Sequence, residues 1–256
     1  VAGFVGIVGI GRPPPVFIRH MERLLRGLGG LGPVGLHQTV LFVGVLNSQT
    51  IINPNYSLKS HETLRIIKIE LKPEAAIFYM SIENRIENGT FCADRNIFLI
   101  YPDGKKSKLI SASDIPVCPD AHVFKSPGEK LDFVLTFPPV GRGTKWVDLV
   151  EECSENCFSF YGIALEADLN VRIDNAFRLA ENDETSKALA SFIALADELS
   201  ADKHGILGLL HINIIKLAAV EGDHKKAGEW YRKFKSSDAP RAETYIKHLN
   251  DLGIRY

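Results

Sequence analysis

Thiols and imidazoles are the side chains best suited to covalent or metal chemistry near neutral pH, and the chain carries four Cys and eight His. In "CPDAH", residues 118–122, Cys118 stands close to His122, and such a pair can in principle make an activated nucleophile. Pro119 interrupts it, and no carboxylate is placed to orient the imidazole. In "ECSENC", Cys153 and Cys157 are four residues apart among Glu151, Glu152 and Glu155. That spacing suits either an exchangeable dithiol or a bond closing a solvated acidic turn. Zinc asks for close ligand pairs on both sides of a loop, whereas Cys92 and Cys118 stand alone, so no metal site is expected. An even cysteine count allows two disulfides with three connectivities. The histidines show no HExxH spacing, and His204, His211, His224 and His248 read as surface or satisfied-core residues.

The opening "VAGFVGIVGIGRPPP" has the look of a phosphate cradle. A dinucleotide fingerprint needs glycines spaced G-x-G-x-x-G and a helix whose N-terminus faces the anion. Gly6, Gly9 and Gly11 run G-x-x-G-x-G and lead into Pro13, Pro14 and Pro15. Three prolines remove three backbone donors where the helix would begin. No cofactor is expected there.

Overall charge narrows the partners. With 30 Lys and Arg against 31 Asp and Glu, the chain lacks the basic excess that a run of phosphates selects, so nucleic acid is a poor partner. No stretch reaches the roughly 18–20 apolar residues that span a bilayer. Residues 1–38 read either as a Gly-rich arm or, around Met21 in "RHMERLLRGLGGLGPVGLHQTVLF", as a secretory signal in outline.

The elements that must position these residues change character along the chain. All prolines but Pro240 precede residue 140, and the C-terminal third is rich in Ala, Leu, Lys and Glu. Two-residue alternation predicts strands in "VLFVGVL", "LRIIKIEL", "AIFYMSIEN", "NIFLIY", "LDFVLTF", "KWVDLV", "FSFYGIAL" and "LNVRI". Turns at Lys72-Pro73-Glu74, Pro102-Asp103-Gly104, Ser126-Pro127-Gly128 and Gly141-Arg142-Gly143 separate them. Residues 39–174 are therefore expected to form an all-β antiparallel sandwich, and residues 175–256 a separate all-α domain. In the latter, Ala188, Leu189, Phe192, Leu195, Ala196 and Leu199 share one helical face, with Asn182 or Asp183 as the cap. "GILGLLHINIIKLAAV" is apolar nearly all round, as suits a helix between two others. Gly222 closes it, Ala227, Trp230, Tyr231 and Phe234 line the next, and Pro240 opens a last helix with Ala242, Tyr245, Ile246, Leu249 and Leu252 on one side.

Two resemblances sharpen this reading. "RIIKIELKPEAAIFYMSIEN", "NIFLIYPDGKKSKLISASDIP", "EKLDFVLTFPPVGRGTKWVDLVEE" and "FSFYGIAL" resemble an Ig-like β-sandwich module of Gram-negative envelope and secreted proteins. It implies a periplasmic or secreted accessory or ligand-contacting domain with no catalytic motif to transfer; "ECSENC" departs from it. The Gly222-Asp223 turn, Ala227, Tyr231 and the later proline resemble a tetratricopeptide repeat, with Ala188 and Phe192 as an earlier copy offset by 39 residues rather than the usual 34. That resemblance implies a groove for extended peptides, in which Asn213 and Lys216 would hold a peptide carboxylate.

In an oxidising compartment the favoured pairing is Cys92 with Cys118 and Cys153 with Cys157; in a reducing one all four stay thiols. The expected function is that of a non-catalytic periplasmic or secreted interaction protein, contacting protein, peptide or glycan without cofactor or metal. The alternative is a thiol redox protein using Cys153 and Cys157.

Overall fold

Alternating apolar residues in three eight-residue segments build the first sheet. A computed structural model describes residues 48–256. Its strands are Gln49–Ile52 (β1), Leu58–Lys59 (β2), Leu64–Leu71 (β3), Ala76–Glu83 (β4), Thr90–Phe91 (β5) and Ile97–Ile100 (β6). Lys106–Lys108 (β7), Ser111–Ser113 (β8), His122–Val123 (β9), Lys130–Phe137 (β10), Trp146–Glu151 (β11) and Ser159–Ala164 (β12) follow. All pair antiparallel, in sheets ordered β1-β3-β4-β10-β8 and β2-β12-β11-β6-β7, with β5 and β9 as a separate ribbon.

The sheets share one core. Ile66, Phe78, Met80, Phe133 and Leu135 of the first sheet meet Leu99, Val147, Leu149, Phe160 and Ile163 of the second. Each fully buried side chain of this size contributes roughly 1.5–3 kcal/mol. A bulge between Ile66 and Lys68 resets the alternation of β3, so Ile67 turns outward while Ile69 returns to the core.

Five α-helices follow: Ala167–Glu181 (α1), Thr185–Leu199 (α2), Leu207–Val220 (α3), His224–Lys235 (α4) and Ala242–Asp251 (α5). The expected strand "LNVRI" lies inside α1, which also runs through residue 174, the expected boundary. Its signal was ambiguous because Leu169 and Ile173 suit both periods; Ala176 completes the helical one, and Val171, inward in a strand, is 57% exposed. Neither proposed cap serves α2: Asn182 ends α1, Asp183 takes a positive φ in the turn, and the helix starts after Glu184. Asp223 does cap α4, accepting the Lys226 N–H at 3.0 Å. Pro240 stays outside α5, and Leu252 is exposed just beyond it. The expected strand "VLFVGVL", the Gly6–Gly11 cradle and the arm at residues 1–38 lie outside the described residues.

The helices rest on the second sheet. Their apolar cluster takes in Leu58 of β2 and Ala164 of β12, with Tyr161 packed against it. Asn170 of α1 binds Asn55 ahead of β2, its Oδ1 accepting the Asn55 backbone N–H at 2.6 Å, while Asp174 accepts from the Asn55 amide at 3.2 Å. Ser57 donates to the Gly205 carbonyl at 2.6 Å.

Candidate functional site

Where sheet and helices meet, the fold leaves a trench. Its floor is Trp146, the first residue of β11, whose ring backs onto Gly205 and stands 6.3 Å from His204. Two turns raise one wall. In the first, Gly104 with φ +81° closes a loop in which Gly104 N–H donates to Tyr101 O at 2.9 Å, and Asp103 accepts the Lys105 N–H at 3.1 Å. In the second, Thr144 binds the Gly141 carbonyl through its N–H at 3.2 Å and its hydroxyl at 2.8 Å; Gly143 supplies the positive φ such a turn needs. The opposite wall is the 3-10 turn Ser200–Asp202 with Lys203, Asp238 and Arg241. Two depressions of about 710 and 660 Å³ run together, sharing Pro102, Trp146 and Asp202.

Ion pairs set the electrostatics of this trench. Lys105 pairs with Asp103, Lys106 with Glu152, Lys145 with Asp202, Lys203 with Asp238 and Arg241 with Asp148. The Lys105 ammonium holds Asp103 below the usual carboxylate range, as Lys145 does Asp202 and Lys203 does Asp238. Asp148 is the buried member of the set. Its Oδ1 accepts the Gly162 N–H at 2.7 Å, and its Arg241 partner lies 3.9 Å over the Tyr161 ring. Arg142 alone among the rim cations has no ion pair or hydrogen bond among the described residues. Chemically the trench offers an aromatic floor, fixed donors and acceptors, and one guanidinium uncommitted among the described residues.

Beneath the trench, His204 is fully buried. Its Nδ1 accepts the Ile206 N–H at 3.1 Å, which leaves the proton of the neutral ring on Nε2, 3.4 Å from Glu166 Oε2. Burial, then the nearby Lys145 charge, pulls its pKa down to about 4.

The cysteines form two bonds, Cys92 to Cys118 and Cys153 to Cys157, with no free thiol among the described residues. Cys118 is therefore not available as a nucleophile for His122, whose Nε2 instead lies 3.3 Å from Glu129. The second bond sits beside Glu151, which accepts the Asp94 and Phe158 N–H groups at 2.8 and 3.0 Å; its Oε2 is 4.0 Å from Cys153 Sγ. Burial raises the Glu151 pKa against the pull of those two donors. Glu152 turns away to Lys106, so the acidic trio is dispersed. Among the described residues no three His, Cys, Asp or Glu are grouped to hold a metal.

Asn213 and Lys216 both lie half-buried on α3. The Asn213 amide donates to Leu209 O at 2.8 Å in its own helix, and Lys216 lies near enough to His248 of α5 to lower its pKa, adding to the effect of burial. Sequence reasoning passed over Arg142, Trp146 and Arg241. One signal was present: a polar Asp148 in the apolar run "KWVDLV" demands a partner.

No protein-family model, no curated protein and no solved structure matches the chain.

Proposed function

We propose that the chain is a non-catalytic interaction protein of the periplasm or the secreted space, an Ig-like sandwich docked to a tetratricopeptide-like helical unit. It binds protein, peptide or glycan in the trench between them. The carrying observation is the trench itself, built from both parts over Trp146, with every rim cation but Arg142 already paired among the described residues. Preset rim charges lose little freedom on binding, which favours recognition. Two disulfides support an oxidising compartment, and no described helix is long and apolar enough to cross a membrane.

The test is direct binding. Trp146 and Trp230 are the two tryptophans, so a Trp230→Phe variant reports on the trench alone. Titrating it against arrays of peptides and oligosaccharides should give a saturable fluorescence change for at least one class. No saturable response from any member would overturn the reading.

A second reading, dithiol exchange at Cys153 and Cys157, draws on Glu151 beside Cys153 as a proton acceptor. Two bonds that resist mild reductant favour binding; one easily reduced bond and exchange with a model disulfide favour redox chemistry.

A further inference from the structure

The edge of the second sheet adds a direction to the trench. β7 pairs with β6 alone among the described residues, and its hydrogen-bond pattern shows which backbone groups stay free. The Lys105 carbonyl accepts from Tyr101 N–H and the Leu109 N–H donates to Ile97 O, so residues 105, 107 and 109 face β6. By the two-residue alternation of a ladder, the N–H and C=O groups of Lys106 and Lys108 point away from the sheet. Both side chains project on the outer face, their ammonium groups 5.2 and 5.9 Å from the Phe98 ring. Lys105, Lys106 and Ser107 also line the trench, together with Arg142.

We propose that an extended acidic peptide adds as a strand to β7, its alternate carboxylates facing Lys106 and Lys108, and that Arg142 takes a further carboxylate where the peptide enters the trench. The inference rests on the binding role proposed above and names its ligand. Strand addition fits because the peptide supplies the backbone donors and acceptors that Lys106 and Lys108 leave open, which a saccharide does not. Acidic side chains directly opposite lysines are the favoured cross-strand pairing. The planar guanidinium of Arg142 matches a carboxylate through two parallel hydrogen bonds. The existing Lys106 pair with Glu152 is exposed, and a peptide carboxylate can join or replace it. Lysines along an edge also discourage indiscriminate sheet pairing, so the acidic partner is the one they admit.

The experiment uses the full chain with disulfides intact and four probes: a capped ten-residue peptide alternating Glu and Thr, the same peptide N-methylated at alternate residues, its Lys/Thr counterpart, and hexagalacturonate. Calorimetry should show saturable binding of the Glu/Thr peptide alone, weakening with salt, with the amides of Lys106 and Lys108 gaining protection from hydrogen exchange. Lys106→Glu with Lys108→Glu should weaken it at least tenfold and Arg142→Ala about fivefold. These residues are exposed, so unchanged melting of the variants separates lost binding from lost folding. Failure of the Glu/Thr peptide to bind, equal binding of its N-methylated form, or indifference to charge reversal overturns strand addition. Hexagalacturonate binding without amide protection also overturns it, yet leaves the interaction role standing.

Discussion

Gly162 and Gly205 touch backbone to backbone across the seam between sheet and helices. A Cβ on Gly162 would stand 2.2 Å from the Gly205 carbonyl oxygen, and one on Gly205 would stand 2.6 Å from the Trp146 ring and 2.8 Å from the Gly162 Cα. Gly162 also has φ +63°, where side chains are strained. Gly205→Ala should therefore force the seam apart and cost about 1–3 kcal/mol, read as a lower urea midpoint. Gly104→Ala, where a Cβ meets nothing, suffers only the backbone penalty and should lose less.

Two ion pairs at the trench should differ in weight. Arg241→Met leaves the buried Asp148, among the described residues, with only the Gly162 N–H and should cost about 1–3 kcal/mol. Lys203→Met removes an exposed pair with Asp238 and should cost less than about 1 kcal/mol. Equal losses in chemical denaturation would refute a structural role for Asp148.

Acid should weaken the fold through His204 and His211, both with pKa values lowered to about 4 by burial. Lys145 adds to this at His204, opposed by Asp202; Lys233 adds at His211, opposed by Asp197. Between pH 6.5 and 4 the unfolded chain binds these protons more readily, so stability falls as pH falls, by about 1.4 kcal/mol per unit for each ring. Glu151 and Glu166, with raised values, oppose the trend near their own titration. Urea midpoints from pH 7.5 to 4.5 should decline, and His211→Phe, which keeps the stack on Phe234, should flatten the slope.

The disulfides should contribute unequally. Their sequence separations are 26 and 4 residues, and chain-entropy reasoning assigns about 3.5 kcal/mol to the first and about 2 kcal/mol to the second. Replacing Cys92 and Cys118 together by Ala should thus lower the melting temperature more than replacing Cys153 and Cys157.

Strands such as Lys130–Phe137 were legible because Phe133, Leu135 and Phe137 alternate with half-exposed residues, a pattern that only a half-buried strand requires. α2 was equally plain, since Ala188, Leu189, Phe192, Leu195, Ala196 and Leu199 are all buried. α1 was misread because five residues of "LNVRI" fit either period until Ala176 is counted. The trench was not legible at all: Trp146, Asp202 and Arg241 are far apart in sequence, and nothing local in each reports the others. Arg142 between two glycines reads as a turn, while its lack of a carboxylate partner among the described residues depends on where Asp103 and Asp202 are committed.

The apolar contact of Leu58, Tyr161 and Ala164 with the helices bears on how this polypeptide can be dissected. Severed at residue 166, the N-terminal piece would present that strip, the Trp146 ring and the unmatched Asp148 carboxylate directly to water. The C-terminal piece would lose the Asn55 and Ser57 partners of Asn170 and Gly205, so each fragment would invite self-association, and recombining the two should restore monodisperse material.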